Sequence, residues 1–311
     1  MKTKLSIIII FCAIAANCFL QSCTTEAPHE KIVDNHQPKI ITDLERINNE
    51  LLSTTSQGAR GWNKWNKEEK TKVVISDMTG AYGGAIKGLS FGVKVGAGIG
   101  APHLVGGGFC ALGALIGGAY ASWIAAPTRA TNDDFKKIQD ICKVIVKDDM
   151  TLNEKSVILR NDNANNKINI TPTLLEETKL DTTSLNIAKM HNIILLSLDG
   201  SAILKDSCEN EKIEDKYINE MLNSQEFMDS CRVVGIRAQH FELSSDDDLT
   251  AKIIILFNKV LEDYASKIDD VAFIIGKYME LIDSSIELTD EQKDSVRYGL
   301  ATALYSSNYW K

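Results

Sequence analysis

Between Val73 and Ala126 the chain carries a ladder of glycines that few folds accommodate. Gly80, Gly84, Gly88, Gly92, Gly96 and Gly100 recur at intervals of four. On a helix each such step advances about 400 degrees, so the glycines form one ridge that drifts by about 40 degrees per step. After Ala101, Pro102 and His103 the interval returns with small residues at Gly106, Cys110, Ala114, Gly118, Ser122 and Ala126. Gly113, Gly117, Ala121 and Ala125 form a parallel ridge beside it. The pattern predicts a glycine-zipper helical hairpin that turns near Pro102, its two backbones close because no side chain separates them. Each interior glycine costs a helix roughly 0.8–1 kcal/mol relative to alanine. That cost must be offset, either by packing in a bilayer, where unpaired backbone groups are worse still, or by burial against the rest of the protein. Residues 104–126 contain no charged side chain and are long enough to span a membrane. The first arm carries Asp77, Lys87 and Lys94, which fit lipid only along a polar cavity or at an interface. The expectation is therefore a hairpin whose second arm enters or contacts a membrane, with a tightly packed soluble hairpin as the alternative.

The amino terminus points to the same surface by a different route. Lys2 and Lys4 precede an apolar run from Leu5 to Leu20, interrupted only by Ser6 and Asn17. That is the form of a signal peptide and is short for a spanning helix. Leu20, Gln21, Ser22 and Cys23 then resemble the lipobox read by signal peptidase II: a branched apolar residue, a small residue before the cut, and the thiol that is acylated. The resemblance implies cleavage before Cys23 and palmitate-type lipid on that cysteine. At about 0.8 kcal/mol per buried methylene, several acyl chains anchor stably. No aspartate follows Cys23, so neither the inner nor the outer membrane is selected, and the expected location is the extracytoplasmic bacterial cell envelope.

The fold expected is all-α. A signal peptide occupies 1–22 and a tether 23–36; an amphipathic helix and a Trp/Lys segment follow over 37–72. The hairpin covers 73–126 and a helical-bundle domain 127–311. Ile40, Ile41, Leu44, Ile47 and Leu51 mark the first helix, and Trp62 and Trp65 stand among lysines, suited either to a headgroup interface or to capping a small core. In the last segment, Phe135, Ile138, Ile141, Cys142 and Ile145 share a helix face. The asparagine-rich stretch 161–169 reads as a loop, and Thr171 and Pro172 as cap and first turn. Helices are expected over about 183–198, over 206–236 with a break near Gln225, and over 246–284. A last one starts at Thr289, where Gln292 completes a capping box.

A net charge of -8 argues against binding nucleic acid through phosphates. Cys12 and Cys18 would leave with the leader. Of Cys110, Cys142, Cys208 and Cys231, the pair Cys208 and Cys231 suits a disulfide in an oxidising compartment, and buried free thiols fit equally well. Gly96, Gly98 and Gly100 lack the strand and the Lys-Ser or Lys-Thr pair of a phosphate loop. His191 beside Asn192 in a helix reads as a buried hydrogen-bond network. Asp246, Asp247 and Asp248 read as a helix start, and the five histidines show no metal spacing.

The leader, the ladder from Gly80 to Gly118, the helix around Met190-His191-Asn192-Ile193 and the terminal Ala303-Leu304-Tyr305-Ser306-Ser307-Asn308-Tyr309-Trp310 together resemble uncharacterised Bacteroidota lipoproteins with a glycine-zipper segment. The ladder alone is also similar to two-component bacteriocins, which implies helix association in membranes. The expectation is a lipid-anchored protein that binds a partner or itself, without enzymatic chemistry, metal or cofactor. Its alternative is a bacteriocin-like membrane-perturbing toxin or immunity factor.

Overall fold

Helix α1 (Lys39–Thr54) forms because its apolar residues recur at helical spacing, and Ile40, Ile41, Leu44 and Leu51 are buried along one face. Its first free amides are held from across the fold: Glu287 accepts from Lys39 N at 3.0 Å and from Ile40 N at 2.9 Å. The computed structural model describes residues 37–54, 67–99, 102–126, 131–147, 150–205, 216–240, 248–265 and 267–310. The leader, the lipobox Leu20, Gln21 and Ser22, Cys23, the tether, Trp62, Trp65, Gly100, Cys208, Asp246 and Asp247 lie outside the described residues.

The protein is all-α. The hairpin arms are α2 (Lys67–Ile99) and α3 (Pro102–Ala125). They are followed by α4 (Asn132–Ile145), α5 (Asp162–Ile168), α6 (Pro172–Thr178) and α7 (Thr182–Leu198). The chain closes with α8 (Lys216–Asn223), α9 (Gln225–Ala238), α10 (Leu249–Tyr264), α11 (Ile268–Ser284) and α12 (Asp290–Tyr309). A small antiparallel pair, β1 (Val157–Leu159) with β2 (Ala202–Leu204), sets Ile158 opposite Ile203.

The described residues from Pro38 onward form one compact unit, so the first amphipathic helix, the hairpin and the helices that follow it are parts of a single body. The reason is visible in α3, whose residues 109–122 are buried without a break. A helix apolar all round must be enclosed on all sides, and here other helices of the same chain do it. Glycines let two of them in. A methyl group at Gly235 of α9 would fall 2.7 Å from the Tyr120 ring, and one at Gly118 would fall 3.4 Å from the His191 ring of α7. Phe135 of α4 meets Tyr120 edge-on, with centroids 4.7 Å apart. One core cluster gathers α3 with α4, α7, α8 and α9; a second gathers α1, α10 and α11. Helices α2 and α12 contribute to both, with Ala81 and Tyr298 on one side and Met78 and Leu300 on the other.

Several local expectations change. Residues 161–169 contain a helix where a loop was expected: the Asn161 side chain accepts from Ala164 N at 2.8 Å, and Ala164 and Ile168 bury one face. The cap and that face outweigh the poor helix propensity of asparagine. The span 246–284 is two helices, because the backbone becomes extended at Ala265 and Lys267, where Asp270 accepts from Lys267 N at 3.2 Å and starts α11. Cys231 is a buried free thiol, as are Cys110 and Cys142, which is the second of the two states the sequence allowed for it.

Candidate functional site

The hairpin interface shows what the ladder does locally. A methyl at Gly84 would overlap the carbonyl oxygen of Gly113, and one at Gly88 that of Phe109; one at Gly80 would fall 2.6 Å from the carbonyl oxygen of Gly117. The partners descend as α2 ascends, so the arms are antiparallel with backbone against backbone. The ridge of α3 that meets α2 is Gly113, Gly117 and Ala121. Gly118 lies on the neighbouring ridge and also faces α2: a methyl there would fall 3.1 Å from Ala81 Cβ and 3.4 Å from both the Asp77 carbonyl oxygen and the His191 ring, while Ala114 lies in the core cluster around α3. Gly92 is buried, and Gly96 lies near the carboxyl end of α2.

One turn before the ladder, α2 delivers Asp77 into a fully enclosed polar cluster. Its Oδ2 accepts from Ser122 Oγ of α3 at 2.9 Å and from Ser306 Oγ of α12, and lies 3.9 Å from His191 Nε2 of α7. Asn192 fixes the tautomer of that histidine. Its Nδ2 donates to the Lys167 and Tyr305 carbonyls, each at 2.7 Å, so its Oδ1 faces His191 Nδ1 at 3.0 Å. A carbonyl oxygen only accepts, which assigns the ring proton to Nδ1 and leaves a lone pair on Nε2. Burial raises the Asp77 pKa well above the usual carboxylate range, against the opposing pull of Ser306, Ser122 and Trp310. Burial lowers His191 to about 4, opposed by Asn192 and the Gly118 backbone. The pair therefore holds one proton, on Asp77, with a neutral imidazole beside it. Asp77 Oδ1 and His191 Nε2 have no hydrogen-bond partner, and both residues are 0% exposed. No substrate reaches them in this conformation, so the cluster fastens four helices.

The opposite face of α2 borders solvent. A cleft of about 510 Å³ runs between α2 and α9, with Thr79, Gly83 and Lys87 on one wall and Val233, Val234 and Arg237 on the other. Thr79 is buried, and its hydroxyl has no hydrogen-bond partner. Tyr82 also lines the cleft, with its hydroxyl engaged by Thr250 Oγ1 at 2.6 Å.

Sequence reading singled out His191, Asn192 and the glycines, and the structure brings them to one side of α3. It missed Asp77 as their partner and gave Thr79 and Arg237 no role. Asp248 caps α10, accepting from Thr250 N at 2.9 Å. Among the described residues, no three His, Cys, Asp or Glu side chains gather where a metal ion would sit. No family model, no curated protein and no solved structure matches the chain.

Proposed function

We propose that this chain is a lipid-anchored protein of the bacterial cell envelope, held by acyl groups on Cys23, whose helical body binds a partner and carries out no catalysis of its own. The observation that carries it is the enclosure of α3. The apolar stretch that length and composition would send into a bilayer is 78% buried among the chain's own helices. With most of residues 107–125 enclosed by the core, membrane contact falls to the lipid on Cys23, which leaves the outer helical surface for binding. The sequence Leu20-Gln21-Ser22-Cys23 after an apolar leader supports the anchor, and the enclosure of Asp77 and His191 supports a fastening role for the polar residues that most invite a catalytic one.

The direct test is growth with radiolabelled palmitate. Label on the chain that disappears in Cys23→Ala, together with accumulation of the uncut precursor, is the expected result. An unlabelled chain, or label that survives the substitution, overturns the anchor.

The bacteriocin-like reading draws on one observation: along the ladder the 24-residue helix α3 meets α2 through glycine rather than interlocked side chains. It requires the protein to release dye from liposomes. Intact vesicles across anionic and zwitterionic compositions end it.

A further inference from the structure

We propose that the cleft between α2 and α9 binds a small amphiphile with a single acyl chain and an anionic head. This names the ligand class for the binding role proposed above and rests on that role, though not on the lipid anchor.

Two contacts set the direction of the helices that form the cleft. Lys94 Nζ lies 3.6 Å from Glu226, and a methyl at Gly83 would fall 2.7 Å from Val234 Cγ1. Ascending α2 therefore descends α9: the Lys94 end lies by Glu226, and the Thr79 end lies by Arg237. From Thr79 to Lys87 is eight residues, so the wall is about 12 Å long at 1.5 Å per residue.

Charge then separates the two ends. Both acids on the α9 wall already have partners, Glu226 with Lys94 and Asp229 with Arg232 at 3.5 Å. Among the described residues, Arg237 and Lys87 have no carboxylate partner and both are exposed. Among the described residues lining the cleft, the Thr79 hydroxyl at the Arg237 end, on the facing wall, is buried and without a hydrogen-bond partner. A guanidinium fork beside a hydroxyl donor matches the geometry of a carboxylate or phosphate head. Away from that end the walls are Gly83, Val233 and Val234, with the methylene stem of Lys87, and Val233 is 42% exposed. Ser230 also lines the cleft, with its hydroxyl donated to the Glu226 carbonyl at 2.8 Å, and the apolar side chains between the two ends favour an alkyl chain. A cleft of about 510 Å³ falls within the range of roughly 300–1,000 Å³ typical of small-molecule sites. Glu226 and Asp229 near the far end disfavour a second anionic group there, which limits the ligand to one head.

A photoreactive decanoate bearing a diazirine on its chain tests this with the full-length protein, read by peptide mapping. Label is expected on segments 79–87 and 226–237, displaced by free decanoate and not by decyltrimethylammonium. Competition by decyl phosphate as effective as decanoate assigns a phospholipid-type head; competition by decanoate alone assigns a free fatty acid. Arg237→Ala should reduce labelling at least five-fold and Thr79→Val about three-fold, each with an unchanged thermal unfolding midpoint. Label spread over other segments overturns the proposal. So does labelling unchanged in Arg237→Ala, or displacement by the cationic amphiphile equal to that by decanoate. Because palmitate incorporation at Cys23 is read separately, failure of the cleft and failure of the anchor are distinguishable.

Discussion

The deep rungs of the glycine ladder and the glycines near its turn are the same residue in the same hairpin, under opposite physical demands. At Gly80, Gly84 and Gly88 the space a side chain would need is already filled by the backbone of α3. At Gly107 and Gly108 nothing lies within 4 Å of where a methyl would stand. In the first group the helix-propensity cost of glycine is offset by close backbone packing; in the second no packing offsets it. The same residue type is therefore an interface deep in the hairpin and a helix-propensity cost near its turn.

The largest effect should come from the deep rungs. Gly84→Leu places a branched side chain against the Gly113 carbonyl, and both are backbone-bound, so no rotamer relieves the overlap. The arms must separate, which also disturbs α7 and α9 where they seat on α3. We expect a loss of at least about 3–4 kcal/mol, enough to unfold a marginal protein. Urea unfolding followed by circular dichroism measures it. A loss under about 1 kcal/mol would mean that the arms are not held backbone to backbone.

How far this was readable beforehand depends on the distance over which each feature is decided. The interval of four is local, and it marks a close-packed hairpin turning near Pro102. Which ridge of α3 faces α2 is not local. Gly113 and Gly117 compete with Ala114 and Gly118, all small; the α2 backbone sits on Gly113 and Gly117, while the space at Gly118 is shared between Ala81 of α2 and His191 of α7. Asp77 is harder still, since its partner Ser306 lies 229 residues away. A lone aspartate in an apolar arm reads as an obstacle to membrane burial until the hydroxyls and imidazole that receive it are known. Asn161 to Asn169 misled for the converse reason: composition suggested a loop, while one side-chain cap and two apolar residues four apart decided for helix.

The polar cluster sharpens the comparison, because it sits at the buried end of the ladder, where a charge has no water. In the folded chain Asp77 keeps its proton well above the usual carboxylate range, and His191 stays neutral down to about 4. Unfolded, Asp77 releases its proton near 3.9 and His191 takes one below about 6.5. Between about 4 and 6.5 each state therefore carries one proton on this pair, and the pair adds no pH dependence. Above about 6.5 the unfolded chain loses the histidine proton while the folded one retains that of Asp77. Stability then falls as pH rises, by up to about 1.4 kcal/mol per unit until Asp77 ionises. Asp77→Asn removes this alkaline decline. It exposes the His191 contribution alone, so the variant should lose stability as pH falls from about 6.5 toward 4. Urea midpoints of both proteins between pH 5 and 9 decide it, and parallel profiles would show that Asp77 is ionised in the folded state.

The smallest effect has the opposite sign and comes from outside the ladder, near the turn of the hairpin. Gly107 is exposed in helix α3, has no neighbour for a methyl to strike, and lies within a helix where alanine is favoured by roughly 0.8–1 kcal/mol. Gly107→Ala should therefore raise stability by about 0.5–1 kcal/mol, both by favouring helix in the folded state and by restricting the unfolded chain. The same substitution at Gly84 should lower it, because even one methyl meets the Gly113 carbonyl. Paired urea curves of the two alanine variants read both signs in one experiment. If Gly107→Ala destabilises as Gly84→Ala does, something packs against the turn end of α3, and the division of the hairpin glycines into a buried interface and a free end is wrong. If both stabilise, the deep rungs hold less than their contacts imply, and burial of the surrounding leucines and isoleucines alone keeps α3 in the core.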